Sequence, residues 1–360
     1  MLPYAAAVAS SAAQERARER IVRICDSVRD ARALRLELLA EIRREVPFDA
    51  YAWLLTDPET CVGSAPLADV PCLPELPTLV RLKYLTGLNR WTRLAGPVAL
   101  LGETSGGDRA KSLVWRELLQ RYGVVDVASL VFTDQFGCWG FLDLWRTEPA
   151  DPFTVADEAF LAGIAAPVTT ALRRSQADTF IAQASGAWQQ RGPVLLVLSP
   201  DLDVRAQTPE TQAYLRVMVP PEEDRSPIPA NAYNVAAQLL AVEAGVDAHP
   251  PTVRVHLAEG RWLTLRAARM DGTGLARERD IAVSVEDSSP SERASVFALA
   301  HGLSAREAEL LHHLVTGRDT RDVASLMFLS QHTVQDHLKS IFAKTSVRNR
   351  RTLLARALGT

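Results

Sequence analysis

Cysteine is scarce in this sequence, and its few cysteines follow no pattern that would bind a metal or build a disulfide framework. No CxxC pair occurs among Cys25, Cys61, Cys72 and Cys138. Four separate thiols in a chain of 360 residues are typical of a reducing compartment, so a cytoplasmic location is expected. No run approaches about 18 uninterrupted apolar residues, which predicts no membrane span. The apolar residues 2–9 lack a basic flank and precede a charged run, so they are not interpreted as a signal peptide.

The sequence also lacks the motifs of common enzymes. It contains no GxSxG, P-loop, HExxH or kinase set, so we predict that it is not an enzyme and assign no catalytic residue. No histidine precedes His249, which excludes a histidine-ligated haem in the first half. The adjacent His312 and His313 are interpreted as helix surface, so no metal site is predicted. The sequence requires no cofactor, and the identity of any cofactor stays open.

The charge is unevenly distributed. The net charge is −3, with 31 basic and 38 acidic side chains in residues 1–300, and nine basic and five acidic in residues 301–360. From His337 onward there are six basic side chains and no acidic one. This pattern is typical of nucleic-acid contact confined to one end, although a solvated helical face would show it too.

Length and pattern predict three parts, with boundaries at 1–178, 179–290 and 291–360. In the first, residues 14–46 have helical spacing, and Val124–Thr133 and Cys138–Trp145 predict a β-hairpin. Thr154 then caps a helix with acids in its first turn. This order, with Phe153, Asp157, Phe160, Leu161 and Ile164 at the start of the helix, resembles a GAF domain.

The apolar stripe of that helix continues through Phe180 to Trp188, which predicts a helix of more than about thirty residues. A helix of that length between domains either forms a dimer interface or lies on a sheet.

The second part has its own strand and helix patterns. Val194–Leu198 and Val204–Ala206 predict a hairpin, two helices follow, and three further strands close the unit. The segment Val194–Leu215 resembles the opening of a PAS domain, except that Gln207 and Thr208 stand where that family has asparagine. Residues 286–292, rich in acids and serine, are expected to be a linker.

The last part carries clear helix signals. Ser304 and Glu307 form a capping box, Gly317 ends that helix, and Ser330 caps a later one. The fold class predicted for the whole chain is therefore multidomain α+β, with GAF-like and PAS-like antiparallel sheets, followed by an all-α tetrahelical unit.

The last part also resembles the LuxR-type helix-turn-helix at many fixed offsets. The matching residues are Leu303, Ser304, Arg306, Glu307, Glu309, Leu311, Gly317, Val323, Ala324, Leu329, Ser330, Thr333, Val334, His337, Ile341, Lys344, Val347 and Arg350. The resemblance implies a DNA-binding transcription regulator whose recognition helix enters the major groove. It places Gln335, Asp336 and Lys339 toward the bases. The expected phosphate contacts are Thr333, His337, Lys344, Arg348 and Arg350.

GAF-like and PAS-like units hold small molecules or transmit strain, so we expect a one-component regulator that senses a ligand or a partner. The alternative is a regulator or scaffold whose N-terminal units bind only protein and mediate dimerisation. Expected partners are double-stranded DNA, a second copy of the chain and a small-molecule ligand; RNA polymerase is left open. The aromatic candidates for a ligand pocket, or otherwise for plain core, are Phe132, Trp139, Phe141 and Trp145. Cys138 is interpreted as a core residue, with a bilin or redox role as the alternative.

Overall fold

The computed structural model of the protein describes residues 2–181, 192–218, 228–257, 261–271, 275 and 278–359, with side chains from Ala13 onward except at residues 217 and 218. Two five-stranded antiparallel sheets, each accompanied by helices, are followed by a group of helices at the C-terminal end. The predicted fold class, α+β followed by all-α, is confirmed.

The first sheet has the strand order β2-β1-β5-β4-β3. Its strands are β1 Ala50–Thr56, β2 Gly63–Asp69, β3 Val98–Leu100, β4 Val124–Asp134 and β5 Gly137–Thr147. The helices of this part are α1 Leu2–Ser27, α2 Ala31–Glu45, α3 Leu76–Leu85, α4 Leu101–Thr104, α5 Leu113–Glu117 and α6 Val155–Asp178. The sequence predicted the long β4–β5 hairpin, but not the short β3. Pro66 lies in β2, an edge strand, where a proline is tolerated.

Alternation along the strands gives the first sheet two apolar faces. Phe132 and Leu142 belong to a core with α1, α2 and α6, whereas Val127 and Trp145 belong to a core with α3 and α5. Helices therefore cover both faces, and a cavity has room to form on the side of α3.

The turn between β1 and β2 lies directly against the start of β5, and Gly137 makes this approach possible. A Cβ atom at Gly137, whose φ is 152°, would lie 2.5 Å from the carbonyl oxygen of Pro58. That oxygen accepts a hydrogen bond from the backbone N–H of Cys138 at 3.1 Å. Any side chain at position 137 would push the turn off the strand.

The second sheet repeats the plan of the first. Its order is β7-β6-β10-β9-β8, so in both sheets the first and last strands of the unit are neighbours. The strands are β6 Val194–Leu198, β7 Val204–Gln207, β8 Thr252–His256, β9 Trp262–Arg269 and β10 Ile281–Asp287, with helices α7 Thr211–Met218 and α8 Ala230–Glu243. Helix α8 packs on β9 on one side and on α3 of the first unit on the other. It is rich in alanine and buried nearly all round, as a helix between two layers must be.

Two buried ion pairs join the units. In one pair the arginine comes from the second unit, and in the other it comes from the first. Arg254 of β8 donates from Nε and Nη2 to the two carboxylate oxygens of Asp57, each at 2.6 Å. Arg90, in the loop after α3, donates to Asp247 at 2.6 and 2.9 Å and to the side chain of Gln238 at 2.8 Å. Each unit therefore supplies one acid and one arginine to the other.

The C-terminal part consists of α9 Pro290–Ala300, α10 Ala305–Val315, α11 Thr320–Leu326, α12 Gln331–Thr345 and α13 Arg350–Leu358. The expectation of a linker through residue 292 is wrong at its end. Ser289 and Glu292 form a capping box, and Pro290 occupies the first helical position, where its missing N–H is harmless. Helix α9 packs against α6, α10 and α13.

The predicted extension of α6 is also corrected. The helix ends at Asp178, and Thr179 to Ile181 form a turn in which Phe180 is buried against Trp262 and Phe297. The remainder of the predicted extension, through Trp188, lies outside the described residues. Among the helices that the structure describes, α6 is long and apolar enough to span a membrane by composition. Its apolar residues pack on the first sheet, and this packing accounts for the composition.

Candidate nucleic-acid interface and ligand cavity

The helix-turn-helix is formed by α11 and α12, and side-chain caps fix both starts. The carboxylate of Asp319 accepts from the backbone N–H groups of Arg321 and Asp322, each at 2.8 Å. Ser330 accepts from the N–H of Thr333 at 3.1 Å. These caps satisfy helix-end donors and place the first turn of α12 at the surface.

Helix α12 has one buried face and one open face. Val334, Leu338 and Ile341, at helical spacing, are buried in the bundle. The residues expected to face the bases, Gln335, Asp336 and Lys339, are all exposed on the opposite side. No part of the chain that the structure describes covers this face, so a DNA groove can receive it.

The open face carries its own ion pair. Lys339 Nζ lies 3.1 Å from Asp336 Oδ1, and His332 Nε2 lies 3.5 Å from Asp336 Oδ2. The hydrogen bond from Lys339 lowers the pKa of the Asp336 carboxyl. Because exposed pairs of this kind are weak, Lys339 can exchange Asp336 for a base or a phosphate.

The expected phosphate contacts differ in their surroundings. Arg348 is exposed and has no ion-pair partner among the described residues, while Thr333 and His337 are half-buried at the helix surface. Arg350 donates to the carbonyl oxygen of Arg318. The Lys344 side chain is 38% exposed, and its ammonium group is paired with Glu307 of the same domain. Its role in DNA contact stays a prediction, as do those of the other four.

Glu307 is the residue that binds Lys344, and it ties α10 to α12. Its carboxylate accepts from the backbone N–H of Ser304, from the hydroxyl of Ser340 and from Lys344 Nζ, each at 2.6 Å. These donors outweigh the burial of Glu307 and lower the pKa of its carboxyl to about 2. The sequence predicted the capping box, but Ser340 and Lys344 are 33 and 37 residues away, beyond what a local pattern can indicate.

Replacing Glu307 with glutamine is expected to destabilise the C-terminal helices by about 2–3 kcal/mol, because Lys344 loses its charged partner. A depressed pKa contributes stability above the unfolded value of about 4.5, and that contribution is lost as the pH falls toward 2. The variant should therefore lose less stability than the wild type below pH 4. Hydrogen exchange of the α10–α12 amides at pH 7 and pH 3.5 measures both effects. Glu309→Gln, at an exposed position on the same helix, is the matched control, and equal changes in the two variants would contradict this role.

A cavity of about 360 Å³ lies between the second face of the first sheet and the helices α3 and α8. Its wall is mostly apolar, and Ala230 and Asn234 of α8 contribute to it from the second unit. This volume is in the range of small-molecule sites.

A few polar groups interrupt the apolar wall. Lys83 Nζ and Asp143 Oδ2 form an ion pair at 2.7 Å, and the hydroxyl of Ser129 donates to Asp143 at 2.8 Å. The indole nitrogen of Trp145 is buried in this wall and has no hydrogen-bond partner among the described residues. A buried N–H without an acceptor is costly, and an acceptor on a bound molecule would satisfy it.

Two of the four predicted aromatic residues line this cavity, and two do not. Phe141 and Trp145 line it, whereas Phe132 and Trp139 are buried in the core on the helix face, which corrects the expectation for these two. Phe132 lies on the helix face by simple alternation with Ala128 and Leu130. Trp139 is turned there by a β-bulge: Phe132 pairs with Gly140 and Thr133 with Cys138, so Trp139 is the extra residue. The sequence analysis did not predict Lys83 or Asp143 as cavity residues. Asp143 could have been found, because it alternates on the same strand face as Phe141 and Trp145.

No group of three or more histidine, cysteine, aspartate or glutamate side chains is arranged to hold a metal ion in the described parts of the chain.

Comparison with known proteins identifies the C-terminal part first. Residues 301–357 match the sequence model of the family GerE, described as bacterial regulatory proteins of the luxR family. A curated relative, the probable HTH-type transcriptional regulator GfsR of Streptomyces halstedii, is 38% identical over 96 residues, which are 27% of this chain. The match spans 34% of that relative, about a third of its length.

Two solved structures of the protein SdiA show a distant likeness to this chain. Escherichia coli SdiA covers 95% of this chain and 96% of its own at 12% identity, with a TM-score of 0.35. SdiA in complex with octanoyl-rac-glycerol covers 95% of this chain and 93% of its own at 11% identity, with a TM-score of 0.34.

Proposed function

We propose that this chain, whose residues 301–357 form a luxR-family helix-turn-helix domain, is a cytoplasmic transcription regulator that binds promoter DNA through α12. The observation that carries the proposal is the uncovered face of α12 with Gln335, Asp336 and Lys339. Gln335 can pair with adenine through two hydrogen bonds, and Lys339 can donate to guanine or to phosphate. Asp336 can accept from cytosine but repels phosphate, so it restricts the sequence bound.

The protein binds as a homodimer in this proposal, because a single domain offers few phosphate contacts. Selection of DNA fragments by the full-length protein, followed by sequencing, is the test. We expect a two-fold symmetric site with half-site centres about one helical turn apart. Recovery of fragments without a shared sequence would contradict the proposal.

We further propose that residues 1–178 form a GAF-like unit and residues 179–290 a PAS-like unit, and that the cavity holds a small-molecule signal. The cavity supports this, since its wall combines an apolar body with a few convergent polar groups. Because α8 of the second unit forms part of that wall, occupancy acts on the contact between the two units.

The cavity favours a neutral ligand that is mostly apolar and carries a hydrogen-bond acceptor. Lys83 already neutralises Asp143, so an additional charge would enter the site without a partner. The acceptor would lie opposite the indole N–H of Trp145.

Replacing Trp145 with phenylalanine is expected to weaken ligand binding about three- to tenfold, since the ring is kept and one hydrogen bond is lost. Octanoyl glycerol, a neutral amphiphile with an ester carbonyl, is a suitable probe for titration calorimetry, with octanoate and octylamine as charged controls. Equal affinity of the variant would show that Trp145 does not donate to the probe.

The alternative is that the two N-terminal units bind only protein and mediate dimerisation. Native mass spectrometry of the full-length protein separates the two hypotheses. A copurified small molecule, or a bound probe, supports ligand sensing. Absence of both, in a protein that still binds DNA, would favour the protein-binding alternative.

A further inference from the structure

The β1–β2 turn, residues 57–62, is the place where three parts of the chain meet. The hydroxyl of Thr60 donates to the carbonyl of Thr252 in β8 at 2.6 Å. Glu59 accepts from the hydroxyl of Ser295 in α9 at 3.1 Å and from Arg254 at 2.9 Å. A chemical change in this turn therefore acts on the first sheet, the second sheet and the C-terminal helices together.

Two cysteines lie at this turn. Cys138, at the start of β5, belongs to an apolar cluster against which Cys61, in the turn itself, is packed, although 77 residues separate the two in the chain. Both line a second cavity of about 510 Å³, together with Trp91 and His249. A small reagent that enters this cavity comes close to both cysteines.

A histidine from the second unit completes the group. His249 Nε2 lies 3.6 Å from Cys61 Sγ, and His249 Nδ1 lies 2.7 Å from Asp247 Oδ1. With Nδ1 donating to Asp247, Nε2 presents its lone pair to Cys61. Asp247 is itself fixed by Arg90, so the imidazole is held in place as a base.

We propose that Cys61 and Cys138 are a peroxide-responsive dithiol, oxidised to an intramolecular disulfide at the junction of the three parts. The neighbouring Cys61 thiol lowers the pKa of Cys138. Cys138 is therefore assigned as the sulfur that attacks the peroxide, and Cys61 as the thiol that then forms the disulfide. The inference does not depend on DNA binding or on a ligand in the other cavity.

The oxidation proceeds in two balanced steps. The Cys138 thiolate attacks the terminal oxygen of a hydroperoxide; an S–O bond forms, the O–O bond breaks, and the departing alkoxide takes up a proton as alcohol or water. Cys61 then gives its proton to His249 and attacks the Cys138 sulfur. The S–S bond forms, the S–O bond breaks, and hydroxide leaves as water with the proton from His249. The two thiols supply the two electrons that reduce the peroxide.

The other two cysteines provide an internal comparison. Cys25 and Cys72 are buried in separate apolar cores, and burial raises the pKa of each thiol to about 11. Neither has a second thiol beside it in the described structure. Both are expected to stay reduced while Cys61 and Cys138 react.

The experiment uses the full-length protein and hydrogen peroxide at a small molar excess. Peptide mapping without reductant should show one cross-linked peptide pair joining Cys61 to Cys138, while Cys25 and Cys72 are alkylated after unfolding. Cys61→Ser should trap Cys138 as a sulfenic acid that dimedone labels, and Cys72→Ser should form the disulfide at the wild-type rate. His249→Gln should slow disulfide formation at least roughly tenfold while sulfenic acid formation continues.

The wild-type map decides the proposal even if a variant folds poorly. Recovery of both Cys61 and Cys138 as free thiols after treatment would overturn it. So would a disulfide that involves Cys25 or Cys72.

Discussion

Replacing Asp57 with alanine is expected to lower the free energy of unfolding by about 3–5 kcal/mol, the largest single effect on stability that we anticipate. The substitution leaves Arg254 charged and almost wholly buried, without the carboxylate that receives two of its hydrogen bonds. Glu59 is too exposed to compensate fully. Chemical denaturation followed by tryptophan fluorescence measures the change.

The pH dependence of stability provides a second readout of this pair. The hydrogen bonds from Arg254 outweigh the burial of Asp57 and lower its pKa. A group with a lowered pKa contributes stability above its unfolded value of about 3.9, and loses it as the pH falls through the folded value. The wild type should therefore lose stability below about pH 4 more steeply than Asp57→Ala.

Two controls define the result. Glu309→Ala breaks an exposed pair with Arg306 and should change stability by less than about 0.5 kcal/mol. The double variant Asp57→Leu with Arg254→Met removes both charges, so it should recover much of the loss. A loss below about 1 kcal/mol for Asp57→Ala would show that the pair does not hold the units together.

The second large effect concerns DNA. Lys339→Ala with Arg348→Ala is expected to weaken binding to the selected site by about 2–4 kcal/mol, or roughly 30- to 1,000-fold. Lys339 lies on the open face of α12, and Arg348 is exposed just beyond its end. The slope of log K for DNA binding against the logarithm of the salt concentration should be about −4 per subunit if roughly four to five phosphates are neutralised. Each phosphate contact that is lost should make this slope shallower by about 1. Fluorescence anisotropy at several salt concentrations measures both quantities.

The matched control removes two positive charges elsewhere. Arg116→Ala with Arg205→Ala changes exposed arginines in the first and second units by the same total charge. If this control weakens binding as much as the α12 variant, net charge and not α12 determines affinity. An undiminished affinity in the α12 variant would refute the contact assignment.

Local chemistry explains why the helices of the C-terminal part could be predicted from the sequence. Ser304 and Ser330 each cap a helix within three residues of their own position, and the buried face of α12 follows from spacing alone. The hairpin of β4 and β5 is local as well. The fold class followed from such signals because each depends on a few neighbouring residues.

The rest depends on contacts between distant residues. By the alternation of side chains along β5, Trp139 should face the cavity, as Phe141 does. Only the register of β4 with β5 reveals the bulge that turns Trp139 to the other face. Lys83 becomes a cavity residue through its pairing with Asp143 in another element. No local pattern showed that α8 closes a cavity of the first unit, because its burial requires a neighbour on each side.

The reciprocal pairing of Arg254 with Asp57 and Arg90 with Asp247 means that the two sheet-bearing units are not interchangeable modules. A recombination event that replaced either unit alone would leave the remaining unit with a buried arginine and a buried carboxylate that have lost their ion-pair partners. The two units can be inherited only as a matched set, even though they share one strand order.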